Sequence, residues 1–196
     1  MGKKAAVFKQ LKEILRGIPW AIFAGTAFEI YTNGEREGRD IDIIIPGWLM
    51  NDAAKRFGVE PILQTRNKGG VEIVNDRYLE TEIDGVIVEV VGDTEKIVLD
   101  GYQYLSTTPE AIKKLFIKVV EREYQGVEIP IVPVEELIAQ KMIFDRSGKW
   151  QDKEDVKLLI SKFGVDKGKL RQALDRWGMG VDKQIEVYQK LGFKYE

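Results

Sequence analysis

The sequence predicts an α+β protein: a mixed α/β head with a mixed or antiparallel sheet, followed by a C-terminal helical region. Three observations predict it. Apolar residues recur at helical spacing near the start, gather into short strand-like runs between Trp20 and Val132, and return to purely helical spacing after Pro133. Turn-forming pairs punctuate the strand-like runs. The chain of 196 residues is 44% hydrophobic and 32% charged, enough to build a core, and shows no internal repeat. The expected division is a head over residues 1–130 and a helical tail over 131–196.

Taken in order, Val7, Leu11, Ile14, Leu15 and Ile18 predict a helix over 5–16, ended by Gly17 and Pro19. Trp20 to Ala24 reads as an apolar strand running into Gly25-Thr26, with a helical turn or two from Ala27 to Tyr31. Asp40 to Ile45 is a second strand, stopped by Pro46-Gly47, and Leu49, Ala53 and Phe57 mark a helix capped by Gly58. Val71–Val74, Tyr78–Ile83, Val86–Val91 and Lys96–Leu99 read as strands separated by Asn75-Asp76, Asp84-Gly85 and Gly92-Asp93. Thr108-Pro109-Glu110 reads as a helix start with proline at its first position. Phe116–Glu123 and Val127–Val132 form a hairpin across Gln125-Gly126. Four tail helices follow, with Asp152, Asp166 and Asp182 as expected N-caps of the last three.

Composition excludes whole classes of chemistry. The chain has no His and no Cys, so Ser-His-Asp catalysis, thiolate chemistry, disulfides and cysteine-zinc sites are out. Thirty Lys+Arg against 32 Asp+Glu give a net charge of −2, with no global field for nucleic acid. The longest uncharged run, Gly17 to Phe28, is too short to span a bilayer, and Lys3, Lys4 and Lys9 leave no room for a signal peptide's apolar stretch. A cytoplasmic location is expected. The Glu/Lys-rich, cysteine-free composition fits a thermophilic source.

The sharpest chemical signal is Asp40-Ile41-Asp42. On a strand both carboxylates share a face, about 7 Å apart, while Ile41, Ile43 and Ile45 turn to the core. Hard cations such as Mg²⁺ favour such oxygen ligands; a solvated strand face explains the pair as well. Fourteen residues before Asp40 lies Thr26, in Ala24-Gly25-Thr26-Ala27 at a strand-to-helix junction. A glycine there admits close approach of a ligand, and the helix start favours phosphate. Glu89 interrupts Val86-Ile-Val-Glu-Val-Val, flanked on its own face by Ile87 and Val91. A carboxylate buried there needs a partner: a metal, an edge position or a salt bridge to Lys or Arg would each serve. Arg36, Arg39, Arg66 and Lys68 stand as a candidate basic rim, or as solvated loop charges.

These residues resemble the DNA polymerase beta-type nucleotidyltransferase superfamily. The shared pattern is Gly25-Thr26, a spacer, the acidic-hydrophobic-acidic Asp40-Ile41-Asp42 and a later strand carboxylate, Glu89. Ala24-Gly-Thr-Ala27 and Arg36, four residues before Asp40, resemble the branch of abortive-infection toxin nucleotidyltransferases of type IV toxin–antitoxin pairs. The tail is similar to the same branch in Val134-Glu-Glu-Leu-Ile-Ala-Gln-Lys141, then Arg146, then Asp152-Lys-Glu-Asp155. Thr26 replaces the usual Ser or Gly, Gly38 stands where Thr or Ser is common, and Gln151 replaces a Lys.

The resemblance implies a nucleotidyltransferase head. Asp40, Asp42 and Glu89 would hold Mg²⁺ or Mn²⁺. Gly25, Thr26, Arg36 and Lys141 would bind the phosphates of an NTP, ATP among the candidates. The acceptor hydroxyl (on a protein, an RNA end or a small molecule) is left open. A catalytically inactive member that binds a nucleotide or protein is the alternative, as is one half of a toxin–antitoxin pair with a small helical partner.

Lys141 falls on the apolar stripe of Val134, Leu137, Ile138 and Met142, so it either pairs with Asp145 one turn on or aims at an anion. Asp152 reads as an N-cap. Asp155 is open between the two roles.

Overall fold

The computed structural model describes residues 2–34, 38–68, 71–92, 96–99, 102–105, 109–143 and 150–195. Its elements are α1 (Lys3–Ile14), β1 (Ala21–Ile22), α2 (Ala24–Thr32), β2 (Asp40–Ile44), a 3-10 turn (Gly47–Leu49), α3 (Met50–Phe57), β3 (Ile62–Lys68), β4 (Val71–Ile83) and β5 (Val86–Val91). Then come β6 (Lys96–Leu99), β7 (Tyr102–Leu105), α4 (Pro109–Phe116), β8 (Val120–Tyr124), β9 (Val127–Ile131), α5 (Val134–Ile143), α6 (Trp150–Phe163), α7 (Lys167–Arg176) and α8 (Val181–Lys190). The α+β class with C-terminal helices is the one the sequence predicts.

The strands form one mixed sheet of order β7-β6-β4-β5-β2-β1-β9-β8, with β3 paired to β4 off that path. Among the pairings only β1 with β9 and β2 with β5 are parallel. Two hairpins close on turns whose residues both have positive φ, Asp84-Gly85 (50° and 71°) and Gln125-Gly126 (51° and 81°). That is the geometry that suits the right-handed twist of the flanking strands.

Much of the core packs on one face of the sheet. Ile41 and Ile43 of β2, Val88 and Val90 of β5 and Leu79 of β4 are fully buried there, with Val7, Phe8 and Leu11 of α1 in the same cluster. Leu137 and Ile138 of α5 and Leu170 and Leu174 of α7 join that cluster, so apolar burial runs on from the strands into the C-terminal helices. Full burial of each aliphatic side chain contributes about 1.5–3 kcal/mol.

Several local expectations are corrected. The helix after β1 begins at Ala24 rather than Ala27, which leaves β1 only two residues long. The turn expected at Asn75-Asp76 is absent: β4 runs straight through, because Asp76, 0% exposed, is held by Arg66 from β3. β3 and β7 lie in the stretch from Val59 to Leu105 that reads mostly as strands, but neither is marked individually; β3, Ile-Leu-Gln-Thr-Arg-Asn-Lys, is too polar to announce itself. Phe116 ends α4 instead of opening the hairpin.

Asp166 caps α7, accepting the Lys169 N–H at 3.0 Å. Asp152 and Asp182 lie inside their helices, the former two residues past the start of α6 and the latter with Gly180 as the N-cap. Thr108, Asp145 and Arg146 lie outside the described residues, as does Arg36.

Candidate active site

The parallel pairing of β2 with β5 sets the site. Its register places Asp40 opposite Ile87 and Asp42 opposite Glu89. Side chains directly opposite in adjacent strands share a face, so Asp40, Asp42 and Glu89, from two separate strands, meet on one side of the sheet. The antiparallel neighbour β4 extends the row, with Glu80 opposite Glu89. On β5 this is the more exposed face. Val86, Val88 and Val90 are buried while Ile87 is 45% exposed. Glu89 is largely withdrawn from water, its side chain 13% exposed, although Ile87 on the same face is open. The apolar run Val86–Val91 is continuous, so alternation could not tell the two faces apart.

Gly25 and Thr26 lie in the first turn of α2, beside Asp42. A Cβ built on Gly25 would stand 3.6 Å from Asp42 Oδ2, so glycine leaves the carboxylate's flank open. Thr26, 1% exposed, joins helix to strand: its hydroxyl accepts the Asp42 N–H at 2.9 Å and lies 3.2 Å from the Asp40 carbonyl and 3.3 Å from Asp42 Oδ2. The Thr26 N–H also reaches Asp42 Oδ2, at 3.4 Å. The anion at the positive end of α2 in this structure is therefore Asp42's own carboxylate, held where a helix start favours negative charge.

Just before them stands Ala24, with φ of 52°, left-handed for a residue with a Cβ. Its N–H donates to Gln140 Oε1 of α5 at 3.2 Å. The C-terminal helical region thus braces the strained turn on which Gly25 sits.

Two positions that sequence reasoning missed complete the frame. Glu29 of α2 is fully buried. It takes Lys4 Nζ at 2.6 Å and the Gly38 N–H at 2.9 Å on Oε2, and the Tyr124 hydroxyl at 2.8 Å on Oε1. It fastens the backbone two residues before Asp40 to α1, α2 and β8. The signal was present, a carboxylate in the apolar run Ala27-Phe-Glu-Ile-Tyr31. The other is Gln140.

Glu89 meets Arg66: Nη1 and Nη2 both donate to Oε1 at 3.2 Å. Lys141 is 7% exposed and donates to Asp155 Oδ2 at 2.6 Å, with its ammonium 5.1 Å from the centre of the Phe28 ring. Lys141 therefore pairs with an acid on the next helix, α6, and ties α5 to α2.

The donor set fits a hard divalent cation. It consists of carboxylate oxygens from neighbouring strands, in a chain without His or Cys. Asp42 is turned to Thr26 and Glu89 to Arg66, and among the described residues no three acids stand close enough to form a metal-binding group.

The nine-stranded mixed sheet with its C-terminal helices has the fold of solved nucleotidyltransferase structures. Solved structures carry the same fold. The antibiotic-resistance factor ANT(2″)-Ia, in complex with adenylyl-2″-tobramycin, superposes with a TM-score of 0.57 at 13% identity, over 90% of this chain and 97% of that one. TM1012 of Thermotoga maritima, assigned as a nucleotidyltransferase, superposes with a TM-score of 0.53 at 18% identity, over 81% of this chain and 93% of that one. No protein-family model and no curated protein sequence matches the chain. Among the described residues no helix is long and apolar enough to cross a membrane.

Proposed function

We propose that this protein transfers a nucleoside monophosphate from an NTP to a hydroxyl acceptor, releasing pyrophosphate, with Mg²⁺ or Mn²⁺ as cofactor. The observation that carries the reading is the register of Asp42 opposite Glu89, with Asp40 two residues along, next to the start of α2. Asp40, Asp42 and Glu89 would hold the metal, which supplies charge neutralisation on the phosphate oxygens.

The chain's own groups have separable tasks. The Gly25-Thr26 turn presents backbone N–H groups at the positive end of α2, suited to phosphate oxygens. Glu89 would draw the proton from the acceptor hydroxyl. That hydroxyl oxygen forms its bond to the α-phosphorus as the bond to the pyrophosphate oxygen breaks. Lys141, one residue beyond Gln140 on α5, adds positive charge near the turn, and its pairing with Asp155 fixes the ammonium in place. Arg36 belongs to the same proposed phosphate-binding set. The acceptor is a protein, RNA end or small molecule; an antibiotic acceptor in ANT(2″)-Ia supports the small-molecule class.

The test is a melting-temperature panel of the four NTPs, each with and without Mg²⁺ or Mn²⁺, on wild type and Asp42→Asn. A ligand that binds only the folded state raises the midpoint by mass action. A metal-dependent rise in wild type that disappears in Asp42→Asn supports the site and names the base. No rise with any nucleotide moves the reading to the inactive, partner-binding member of the fold.

A further inference from the structure

Arg66 is a cation set into the acid row. Its Nε donates to Asp76 Oδ2 at 2.5 Å, its Nη2 forms an ion pair with the same oxygen, and its two terminal nitrogens reach Glu89 Oε1. Its guanidinium lies 3.7 Å over the ring of Tyr78, whose hydroxyl accepts from Gln64 Nε2 at 2.6 Å. All three charged side chains are withdrawn from water: Arg66 is 10% exposed, Asp76 0% and Glu89 13%.

The two grips differ. The Asp76 contact is short, and the ring stacks on the flat ion, so Arg66 is anchored from β4. The bonds to Glu89 are long, 3.2 Å each, and both fall on one oxygen. Charge-assisted hydrogen bonds are strongest near 2.7–2.9 Å, so Glu89 is the partner that can be given up. Glu89 also stands in register between Asp42 and Glu80, two further acids. Like charges at that spacing need a cation between or beside them.

We propose that Arg66 is a positioning residue, a resident counter-ion that holds Glu89 beside Asp42 until a divalent cation takes the carboxylate over. This rests on the metal-dependent reading above. It accounts for the absence of a closed three-acid group among the described residues alongside a backbone register that lines one up. Loading is then an exchange in which Glu89 leaves Arg66, while Arg66 stays anchored on Asp76 and Tyr78.

The test uses Mn²⁺ as probe, with binding read by electron paramagnetic resonance of the free ion and by the melting midpoint. Removing Arg66 alone would take a close cation from the fully buried Asp76, a change that threatens folding. The variant is therefore Arg66→Gln with Asp76→Asn, which removes one positive and one negative charge and leaves the net charge unchanged. It should bind Mn²⁺ about tenfold more tightly than wild type, because the competing guanidinium is gone. It should also melt at a lower temperature without metal and show a larger metal-induced rise. Adding Glu89→Gln should erase the gain. Affinity unchanged in the double variant, or a gain that survives Glu89→Gln, overturns the role of Arg66 while leaving the metal site standing. No Mn²⁺ binding by wild type or double variant overturns the metal reading itself, and the exchange with it.

Discussion

Thr26 and Asp42 are joined through both the hydroxyl and the N–H of Thr26. The Thr26 hydroxyl accepts the Asp42 N–H at 2.9 Å, and the Thr26 N–H points at Asp42 Oδ2 from 3.4 Å. One side chain thereby fixes both the strand carrying the acid and the direction of the carboxylate. Thr26→Val keeps the shape and deletes the oxygen, so the Asp42 N–H loses this acceptor in a buried place. A loss of about 1–3 kcal/mol is expected, read by urea unfolding, with Thr26→Ser close to wild type. If Thr26→Val is as stable as wild type, the hydroxyl does not clamp the strand.

The Lys141–Asp155 pair separates stability from ligand binding. Both side chains are over nine-tenths buried. Lys141→Met takes the close ammonium from the buried Asp155 carboxylate and should cost about 3–5 kcal/mol. Lys141→Met with Asp155→Leu should regain most of that stability in the same unfolding measurement. If Lys141 also serves the nucleotide, the stable double variant still loses most of its NTP-induced rise in melting temperature; a wild-type rise would confine Lys141 to a packing role.

Ala24 offers a stabilising change. A left-handed conformation costs a residue with a Cβ about 1–2 kcal/mol, whereas glycine avoids that and gives back about 0.5–1 kcal/mol in unfolded-state entropy. Ala24→Gly should therefore raise stability by up to about 1 kcal/mol, and Ala24→Val should lower it, by thermal unfolding. A destabilised glycine variant would mean that the alanine methyl makes a contact worth more than the strain.

Tyr31 links alkaline stability to its position under the C-terminal helices. Its phenol is pushed up to about 12, first by burial and then by Glu135, with Arg122 opposing. The folded state therefore keeps a proton that the unfolded chain loses from about pH 10. That contribution is complete below pH 10 and is lost as pH rises through about 12, since the unfolded state binds fewer protons there. Tyr31→Phe should flatten the fall in unfolding free energy over this window relative to wild type. An unchanged slope would show that Tyr31 does not govern it. The variant also forfeits the bond to the Val132 carbonyl, 2.9 Å in wild type, so its stability near neutrality should drop modestly.

Much of this protein was legible in one dimension. The period of the apolar residues marked most helices and strands, because a helix and a strand bury different spacings. Asp40-Ile41-Asp42 declared its shared face from alternation alone, and Gly25-Thr26 declared a junction. Glu29 and Gln140 escaped notice because their importance lies in partners 25 and 116 residues away, Lys4 and Ala24. The strand β3 was not marked individually because it is mostly exposed, and its buried contact is Arg66 on Asp76 and Glu89 rather than an apolar core.

The sequence by itself determined the residue types available for chemistry, oxygen ligands and cations without histidine or thiol, and the α+β order of elements. Only the tertiary structure decided that β2 runs parallel to β5 in the register that sets Asp42 against Glu89, that Arg66 crosses from β3 to hold that third acid, and that Lys141 closes on Asp155. Strand register and long-range ion pairs depend on which surfaces meet, and local propensity carries no record of that.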